Sequence, residues 1–377
     1  MPTIDFIDLR NAKASCSYDA FLDTVPGALI QQSTRWCNVI KDISPDEPFI
    51  LAVREGAEMV GSLIVYLFRH ELGNILYSNP HAGSLGSLAV HPKAEAEPVS
   101  KLLVSAALEL AAQNQCLTVT LTSNPFAAND FLAKYFEFDY ALSNEIQYIN
   151  LDNCFDDLGN FTLSNAKFRN NLKRQLNRAA DAGIKVVESD SRDHLDQWYE
   201  VHTQRMAELQ GTAIPIQLFS NALKWNSGHR YCTFLYALDK SGKVIGGGFH
   251  MYNKTIVDLF MLSTGHEYQK SGVNYLLTDH ALRWAAAKGL KHYNWQASNP
   301  PTGSIAHFKK QWGSQKAAYN YYTKVTGNLE PIWRAGLKQV RRAYRWHYLL
   351  PFGAFDEPDR QIFAKHEVAF QPDYLDA

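Results

Sequence analysis

Two short stretches hold residue types that could do chemistry. Asp258 lies in the run Thr255–Leu262, which is apolar at almost every other position and is therefore predicted to be a buried strand. A buried carboxylate must be compensated by a neighbour, so Asp258 could take a proton from a reacting amine or serve as a structural acceptor. The second stretch, Gln269–Asn274, contains Lys270, Ser271 and Gly272 and precedes a helical run. Free backbone N–H groups at a helix N-terminus favour anions such as a pyrophosphate.

The elements that must position these residues follow one another between 231 and 325. A hairpin is predicted first, then the strand of Asp258, and we expect Asp258 opposite Phe249 after a two-residue turn or opposite His250 after a three-residue turn. The elements that follow are a helix at Tyr275–Lys288 ended by Gly289, a strand at His292–Gln296, a loop at Asn299–Gly303, a helix at Ser304–Trp312 and a strand at Ala318–Val325. This order predicts a layered α/β unit.

Composition limits the classes of protein that fit. The chain has 377 residues, of which 46% are hydrophobic, and a formal net charge of -1. That length allows two or three domains with full cores, and the charge excludes a surface that is basic throughout. The five cysteines are scattered, which indicates neither a disulfide framework nor a metal site. With no signal-like N-terminus and no run of ~20 apolar residues, we expect a soluble, cytoplasmic protein.

The first half of the chain repeats the second. Phe49 and Gly61 recur as Phe234 and Gly246, and the helical run beginning at Lys101 recurs at Tyr275. Unequal spacing between such elements is typical of a diverged duplication. The counterpart of the anion-binding loop, 93–98, has no glycine and two acids, so we expect the first half to have lost anion binding.

Two other segments are strongly basic. The predicted helix at 165–182 has five cations and one acid, and it could be a solvated linker or contact a phosphorylated substrate or tRNA. The segment 332–348 has five arginines and lysines and four aromatic residues, among them Trp346. It could touch an anionic membrane or nucleic acid, or pack on its own domain. A third helix, 192–210, places His202 at the centre of its apolar stripe and Arg205 at the edge.

These features together resemble the FemAB-like and BioF2-like acyltransferases. The resemblance is carried by 269–272 before Leu276 and Leu277, by the basic helix at 165–182, and by Phe308-Lys309-Lys310-Gln311-Trp312-Gly313. The last run matches the family's Phe-Lys-x-x-aromatic-Gly signature. The resemblance implies an α/β chain of two tandem GNAT-like N-acyltransferase domains with mixed central sheets. We expect domains at 1–155, with an eroded donor site, and 156–328, with a basic aromatic extension at 329–377.

The resemblance also suggests roles for residues. Lys309 is expected near the reacting carbonyl, with Asp258 as a second catalytic candidate. An acyl-CoA donor is expected on Gln269, Lys270, Ser271, Gly272, Val273 and Asn274. For the acceptor we predict contacts with Arg169, Arg205, His250 and Trp295, although Arg205 could instead form a structural ion pair.

The activity that the resemblance implies is N-acyl transfer by direct attack of an amine, without a metal. The donor would be an acyl-CoA and the acceptor an amino group of a cell-envelope or polysaccharide precursor, lying between the two halves. Such an acceptor could be an amino sugar or peptide, free or linked to a lipid or nucleotide. Two alternatives stay open: an aminoacyl-tRNA-dependent peptidoglycan-type aminoacyltransferase, and a non-catalytic protein that binds a glycan or another partner. A peripheral membrane contact through 332–348 is also possible.

Overall fold

The computed structural model describes residues 2–78, 85–226, 231–298, 303–345 and 347–351, together with the backbone of 366–368. Most of the predicted loop at Asn299–Gly303, and Trp346, lie outside this range. The chain divides into two compact units. Unit 1 holds the residues up to Asn144 and the described chain from Ala318 onward, and unit 2 holds Glu145–Ala317.

Unit 1 is a mixed sheet with a long helix packed on it. Its elements are β1 (Thr3–Phe6), α1 (Ala12–Leu22), α2 (Thr34–Ile40), β2 (Glu47–Glu55), β3 (Glu58–Phe68), β4 (Asn74–Tyr77), β5 (Leu88–Val90), α3 (Ala96–Gln113), β6 (Cys116–Thr122), α4 (Phe131–Tyr135), the start of β7 (Tyr140–Asn150) and, later in the chain, most of β13 (Gln315–Val325), α10 (Glu330–Ala343) and β14 (His366–Val368). The strand order is β1-β2-β3-β4-β6-β13, with β5 also on β3. Pairing along this order, and between β5 and β3, is antiparallel except between β4 and β6; β14 also pairs in parallel with the start of β7.

Unit 2 has the same plan. Its elements are the rest of β7, α5 (Ala166–Asp181), β8 (Lys185–Glu188), α6 (Arg192–Glu208), α7 (Ile216–Trp225), β9 (Cys232–Leu238), β10 (Val244–Tyr252), β11 (Ile256–Thr264), α8 (Val273–Ala287), β12 (His292–Ala297) and α9 (Ser304–Gln311). The strand order is β8-β9-β10-β11-β12-β7, antiparallel except between β11 and β12. Both units therefore share one sequence of antiparallel and parallel pairings, as a duplicated fold does.

The last strand of each unit comes from an unexpected part of the chain. Residues 321–325 of β13 pair with β6 and complete unit 1, while residues 146–150 of β7 pair with β12 and complete unit 2. The compact units therefore differ from the predicted boundaries at 155 and 328. These strands belong to the unit whose sheet they pair with by hydrogen bonds, and not to the unit that contains their neighbours in the chain.

Gly247, the second of three consecutive glycines in β10, allows helix α6 to approach the sheet of unit 2. A Cβ at Gly247 would lie 2.8 Å from Trp198 of α6, and the Trp198 indole donates to the Gly247 carbonyl at 3.1 Å. Phe249 packs on Phe219 of α7, whereas the next residue, His250, packs on Trp284 of α8. The sheet of unit 2 thus carries α6 and α7 on one face and α8 on the other.

The register of β10 against β11 differs from both predictions. Asp258 pairs with Met251, because the side chain of Asn253 accepts from the backbone N–H groups of Thr255 and Ile256 and holds the turn one residue further along the chain. The ladder then shifts, with His250 opposite Leu259 and Phe249 opposite Met261. A β-bulge therefore lies at Phe260, two residues beyond Asp258.

The basic aromatic segment after β13 packs on unit 1. Helix α10 is interrupted at Gly336, whose φ is 74°, and it buries Ile332 and Val340. Beyond it, Tyr344 donates to the Gly73 carbonyl at 2.8 Å, and His347 stacks on Phe68. Among the described helices, none combines the length and the apolar character that crossing a bilayer would require.

Candidate functional site

The parallel pairing between β11 and β12 ends at Asp258 and Asn294, although both strands continue. Asp258 is 0% exposed, and its Oδ1 accepts from Asn294 Nδ2 and, at 2.8 Å, from Gln296 Nε2. Gln296 has a φ of +62°, which is uncommon for a residue with a side chain. The point where the two strands separate is therefore built from a buried carboxylate and two amides. Sequence reasoning found Asp258 but missed Asn294 and Gln296.

Lys309 of α9 reaches the end of β12. Its Nζ donates to the carbonyl oxygens of Gln296 and Ala297, both at 3.0 Å, and the residue is 5% exposed. Because burial disfavours the charged form, the pKa of Lys309 falls from 10.5 to about 7. A neutral amine has two N–H donors and one lone pair, so these two bonds leave the lone pair for another proton. Through Gln296, Lys309 is linked to Asp258.

The residues around Lys309 in the signature hold α9 in place. Phe308 packs edge-to-face on Tyr275 of α8, and Trp312 is fully buried against Phe161. Gly313 has a φ of +69°, and a Cβ there would lie 2.5 Å from the Leu163 carbonyl oxygen. The aromatic residues and the glycine of the signature are thus required for packing. Lys309 is the residue of the signature whose functional group contacts β12.

The predicted donor loop lies at the N-terminus of α8. Gln269 and Lys270 are exposed, whereas Gly272 and Val273 are buried and Ser271 and Asn274 are half-buried. Helix α5 causes that burial.

Helix α5 crosses the loop closely. A Cβ at Gly272, whose φ is +84°, would lie 2.2 Å from the carbonyl oxygen of Gln175 in α5. Arg178 of α5 also donates to the Lys270 carbonyl at 3.0 Å. The space over Gly272, where a pyrophosphate was predicted, is therefore filled by α5.

Arg205 is brought to the same loop by the last turn of α6. Its guanidinium pairs with Glu208 at 2.8 Å, and the Gln269 amide oxygen, in the orientation that satisfies the amide, accepts from it at 3.1 and 3.2 Å. His266 lies 3.7 Å from the same Glu208 carboxylate. The structure thus shows the structural ion pair that the sequence had left as one alternative for Arg205.

His250 and Trp295, both predicted to contact the acceptor, lie in the core of unit 2. His250 Nε2 lies 2.9 Å from the Tyr293 hydroxyl, and burial lowers the pKa of His250 to about 3. Trp295 packs edge-to-face on Tyr293 and Phe308. His250 packs on Trp284 of α8 and Trp295 on Phe308 of α9, so both side chains contact helices rather than an open groove. Arg169, by contrast, is exposed on α5.

His202 is a buried histidine at the centre of the α6 stripe. Its Nδ1 lies 2.8 Å from the Ser263 hydroxyl of β11, and its ring stacks on Trp198. Burial lowers the pKa of His202 to about 4, so the ring is neutral at ordinary pH. This pair anchors α6 on the end of β11, a contact that the sequence did not reveal because Ser263 lies 61 residues away.

Unit 1 has acids where unit 2 has its loop. Glu95 and Glu97 lie at the start of α3, and Glu97 pairs with Lys101 at 2.8 Å. A largely apolar cavity of about 370 Å³ opens beside β5 and the first residues of α3. Among the described residues, no group of three or more histidine, cysteine, aspartate or glutamate side chains is arranged to hold a metal ion.

Sequence models of known families match both halves of the chain. Residues 8–138 match a model described as "Acetyltransferase (GNAT) family", and residues 166–310 match one described as "Acetyltransferase (GNAT) domain". No curated protein sequence matches the chain at a significant level.

Solved structures share the fold across nearly the whole chain. FemX is 13% identical with a TM-score of 0.65, covering 85% of this chain and 97% of its own. The protein named L-PGS from Bacillus licheniformis is 13% identical with a TM-score of 0.56, covering 88% of this chain and 96% of its own. A tandem GNAT protein from the clavulanic acid biosynthesis pathway is 14% identical with a TM-score of 0.54, covering 86% and 99%. At these identities the likeness concerns the fold.

Proposed function

Because the chain belongs to the GNAT acyltransferases and carries two GNAT domains in tandem, in the arrangement of the FemAB-like family, we propose that unit 2 transfers an acyl group to an amine beside Lys309. The observation that carries this proposal is the buried Lys309 amine, held by two carbonyl oxygens at the end of β12. A neutral amine with a pKa near 7 is suited to accept a proton at ordinary pH. Asp258 supports it by fixing the Gln296 side chain.

The proposed reaction is direct attack. The acceptor nitrogen forms a bond to the donor carbonyl carbon, the nitrogen loses a proton to Lys309 Nζ, and the bond from carbon to sulfur or oxygen breaks. The proton then goes to the leaving thiolate or alkoxide, so that Lys309 is neutral again. No covalent enzyme intermediate is needed, and the buried His202 and Ser263 take no part in the step.

Two donor classes suit this site. An acyl-CoA is proposed from the family and from Gln269 and Lys270, the exposed residues of the loop before α8. Aminoacyl-tRNA is a second candidate, favoured by the packing of α5 on Gly272, which leaves no room there for a pyrophosphate. For the acceptor we propose an amino group of a cell-envelope or polysaccharide precursor, and for both donors a cytoplasmic location.

The test is transfer measured by mass spectrometry with acetyl-CoA, longer acyl-CoAs and aminoacyl-tRNA, each offered with a set of amino sugars and peptides. We expect Lys309→Gln to lower turnover by about 100-fold or more, as loss of a proton acceptor does. Lys310→Gln is the matched control, because Lys310 is exposed on the same helix. If Lys309→Gln kept turnover within about threefold of the control, the proposal would be wrong.

A further inference from the structure

One surface of unit 2 is not used by the proposed reaction. A groove of about 470 Å³ runs between α5 and α9. Its lining consists of Lys167, Phe168, Asn170, Asn171, Arg174, His307 and Gln311. The α5 members recur at helical spacing, so they form one continuous stripe along that helix. None of the described lining residues is acidic.

The stripe continues toward the loop before α8. A second, shallower depression on α5 is lined by Asn170, Lys173, Arg174, Asn177, Arg178 and Asp181. Arg178, near its far end, donates to the carbonyl of Lys270. A row of cations therefore leads from α9 to the loop where a donor was predicted, over the outer side of the helix that covers Gly272.

The two ends of the groove differ in chemistry. At the α9 end, Phe168 and His307 meet edge-to-face with ring centroids 5.9 Å apart. Gln311, only 7% exposed, accepts from Asn171, and Asn171 in turn accepts from Arg174 at 2.7 Å. Aromatic rings and amides are suited to a base, whose faces stack and whose edges form hydrogen bonds, while Lys167 and Arg174 are suited to phosphate.

We propose that the groove between α5 and α9 binds a nucleoside phosphate, with the base at Phe168 and His307 and the phosphate at Lys167 and Arg174. Two donors carry this chemistry: coenzyme A through its adenosine bisphosphate, and tRNA through its terminal nucleotides. The inference rests on the proposed function in one respect, because it assigns to the groove the nucleotide part of the acyl donor. Lys309 lies on the same helix as His307, two residues away, but reaches β12 instead.

The experiment measures equilibrium binding to the full-length chain by calorimetry, without turnover. The ligands are adenosine 3′,5′-bisphosphate, a short RNA ending in ACCA, and inorganic pyrophosphate. We expect one nucleotide ligand to bind more tightly than pyrophosphate. Lys167→Ala with Arg174→Ala should weaken that binding about tenfold or more, since each charge-assisted contact is lost. His307→Ala should remove the preference over pyrophosphate.

Controls separate this inference from the proposed function. Lys185→Ala removes an exposed cation of unit 2 outside the groove and should leave binding unchanged, as should Lys309→Gln. Circular dichroism confirms that each variant is folded. Tighter binding of the bisphosphate identifies coenzyme A as the source, and tighter binding of the RNA identifies tRNA. The inference would be overturned if no ligand bound saturably, if pyrophosphate bound as tightly as the nucleotides, or if the double substitution left binding unaffected. Each of these outcomes is independent of the effect of Lys309→Gln on turnover.

Discussion

A lysine enclosed by protein loses the water that stabilises its charge, and at Lys309 this loss lowers the pKa of the amine. The two carbonyl oxygens at the end of β12 accept from both N–H groups of the neutral amine, whereas the charged form has a third N–H group, and burial also disfavours its charge. At about pH 7 the neutral and charged forms are then equally populated. An exposed lysine at the same position would be almost fully charged and unable to accept a proton.

The role of Asp258 can be tested by two substitutions. Asp258→Ala leaves the amides of Asn294 and Gln296 without their acceptor, and we expect a loss of about 2–5 kcal/mol in the free energy of unfolding. Asp258→Asn keeps one oxygen for them and should cost less than about 2 kcal/mol and retain most turnover. The measurements are urea unfolding and initial rates. If Asp258→Asn folded normally but lost turnover as fully as Lys309→Gln, Asp258 would be a proton acceptor and not a support.

At the scale of residues, the sequence indicated which residues belong to the candidate site better than it indicated what surrounds them. The signature at 308–313 pointed to Lys309, and the apolar neighbours of Asp258 indicated that it is buried. The neutral state of Lys309 was not predictable, because it depends on the carbonyls of β12, which lie 12 and 13 residues away in the chain. His250 and Trp295 were placed on a groove because the register and the facing of their strands were unknown.

Among the elements, α5 does most to shape the candidate site. One side of this helix packs on the loop before α8, and the other carries the cationic stripe. The close packing requires a residue without a Cβ at 272. Helix α5 covers a potential anion site and carries cations on its outer face. It therefore changes where a phosphate can bind.

Gly272→Ala tests this packing. The new Cβ would meet the backbone of α5 and the residue would keep a φ of +84°, so we expect a loss of about 2–4 kcal/mol in the free energy of unfolding. Gly289→Ala is the matched control at the other end of α8: its φ is +74°, but no atom lies within 4 Å of the new Cβ. That variant should cost only about 1 kcal/mol. Equal losses for the two variants, measured by urea unfolding, would show that α5 does not press on Gly272.

Helix bounds were predicted well and strand register was not. The helix expected at 165–182 is α5 at Ala166–Asp181, because Asn165 caps its first turn and Gly183, with a φ of +70°, ends it. Such caps are local and can be read from sequence. The register of β10 and β11 instead depends on one side chain in the turn, Asn253, and on a bulge at Phe260.

For the whole molecule, the duplication explains the architecture of both units. The repeated strand order confirms the tandem α/β fold that the spacing of similar elements predicted. The exchange of last strands could not be predicted, because pairings such as Tyr321 with Thr122 join segments about 200 residues apart. Divergence is clearest at the segments where α3 and α8 begin: the first contains Glu95 and Glu97, and the second contains Lys270 and Gly272.

A chain ended at Ala317 tests the exchanged strand. It lacks the residues of β13 that pair with β6, and also α10, so we expect amide exchange in β6 to become faster by about tenfold or more. Strands β9 and β10 of unit 2 serve as the internal control and should keep their protection. Unchanged protection of β6 would mean that unit 1 does not depend on the later segment.

The measurement that bears most directly on the central claim is the pH dependence of kcat/KM, using a weakly basic acceptor amine that is neutral throughout the range. Because burial lowers the pKa of Lys309 to about 7, the amine becomes able to accept a proton as pH rises through that value. We predict a rate that increases with pH, with a single ionisation near 7, and then levels off; Lys309→Gln should remove that ionisation. A rate that is flat or falls across this range in the unsubstituted enzyme would contradict the account.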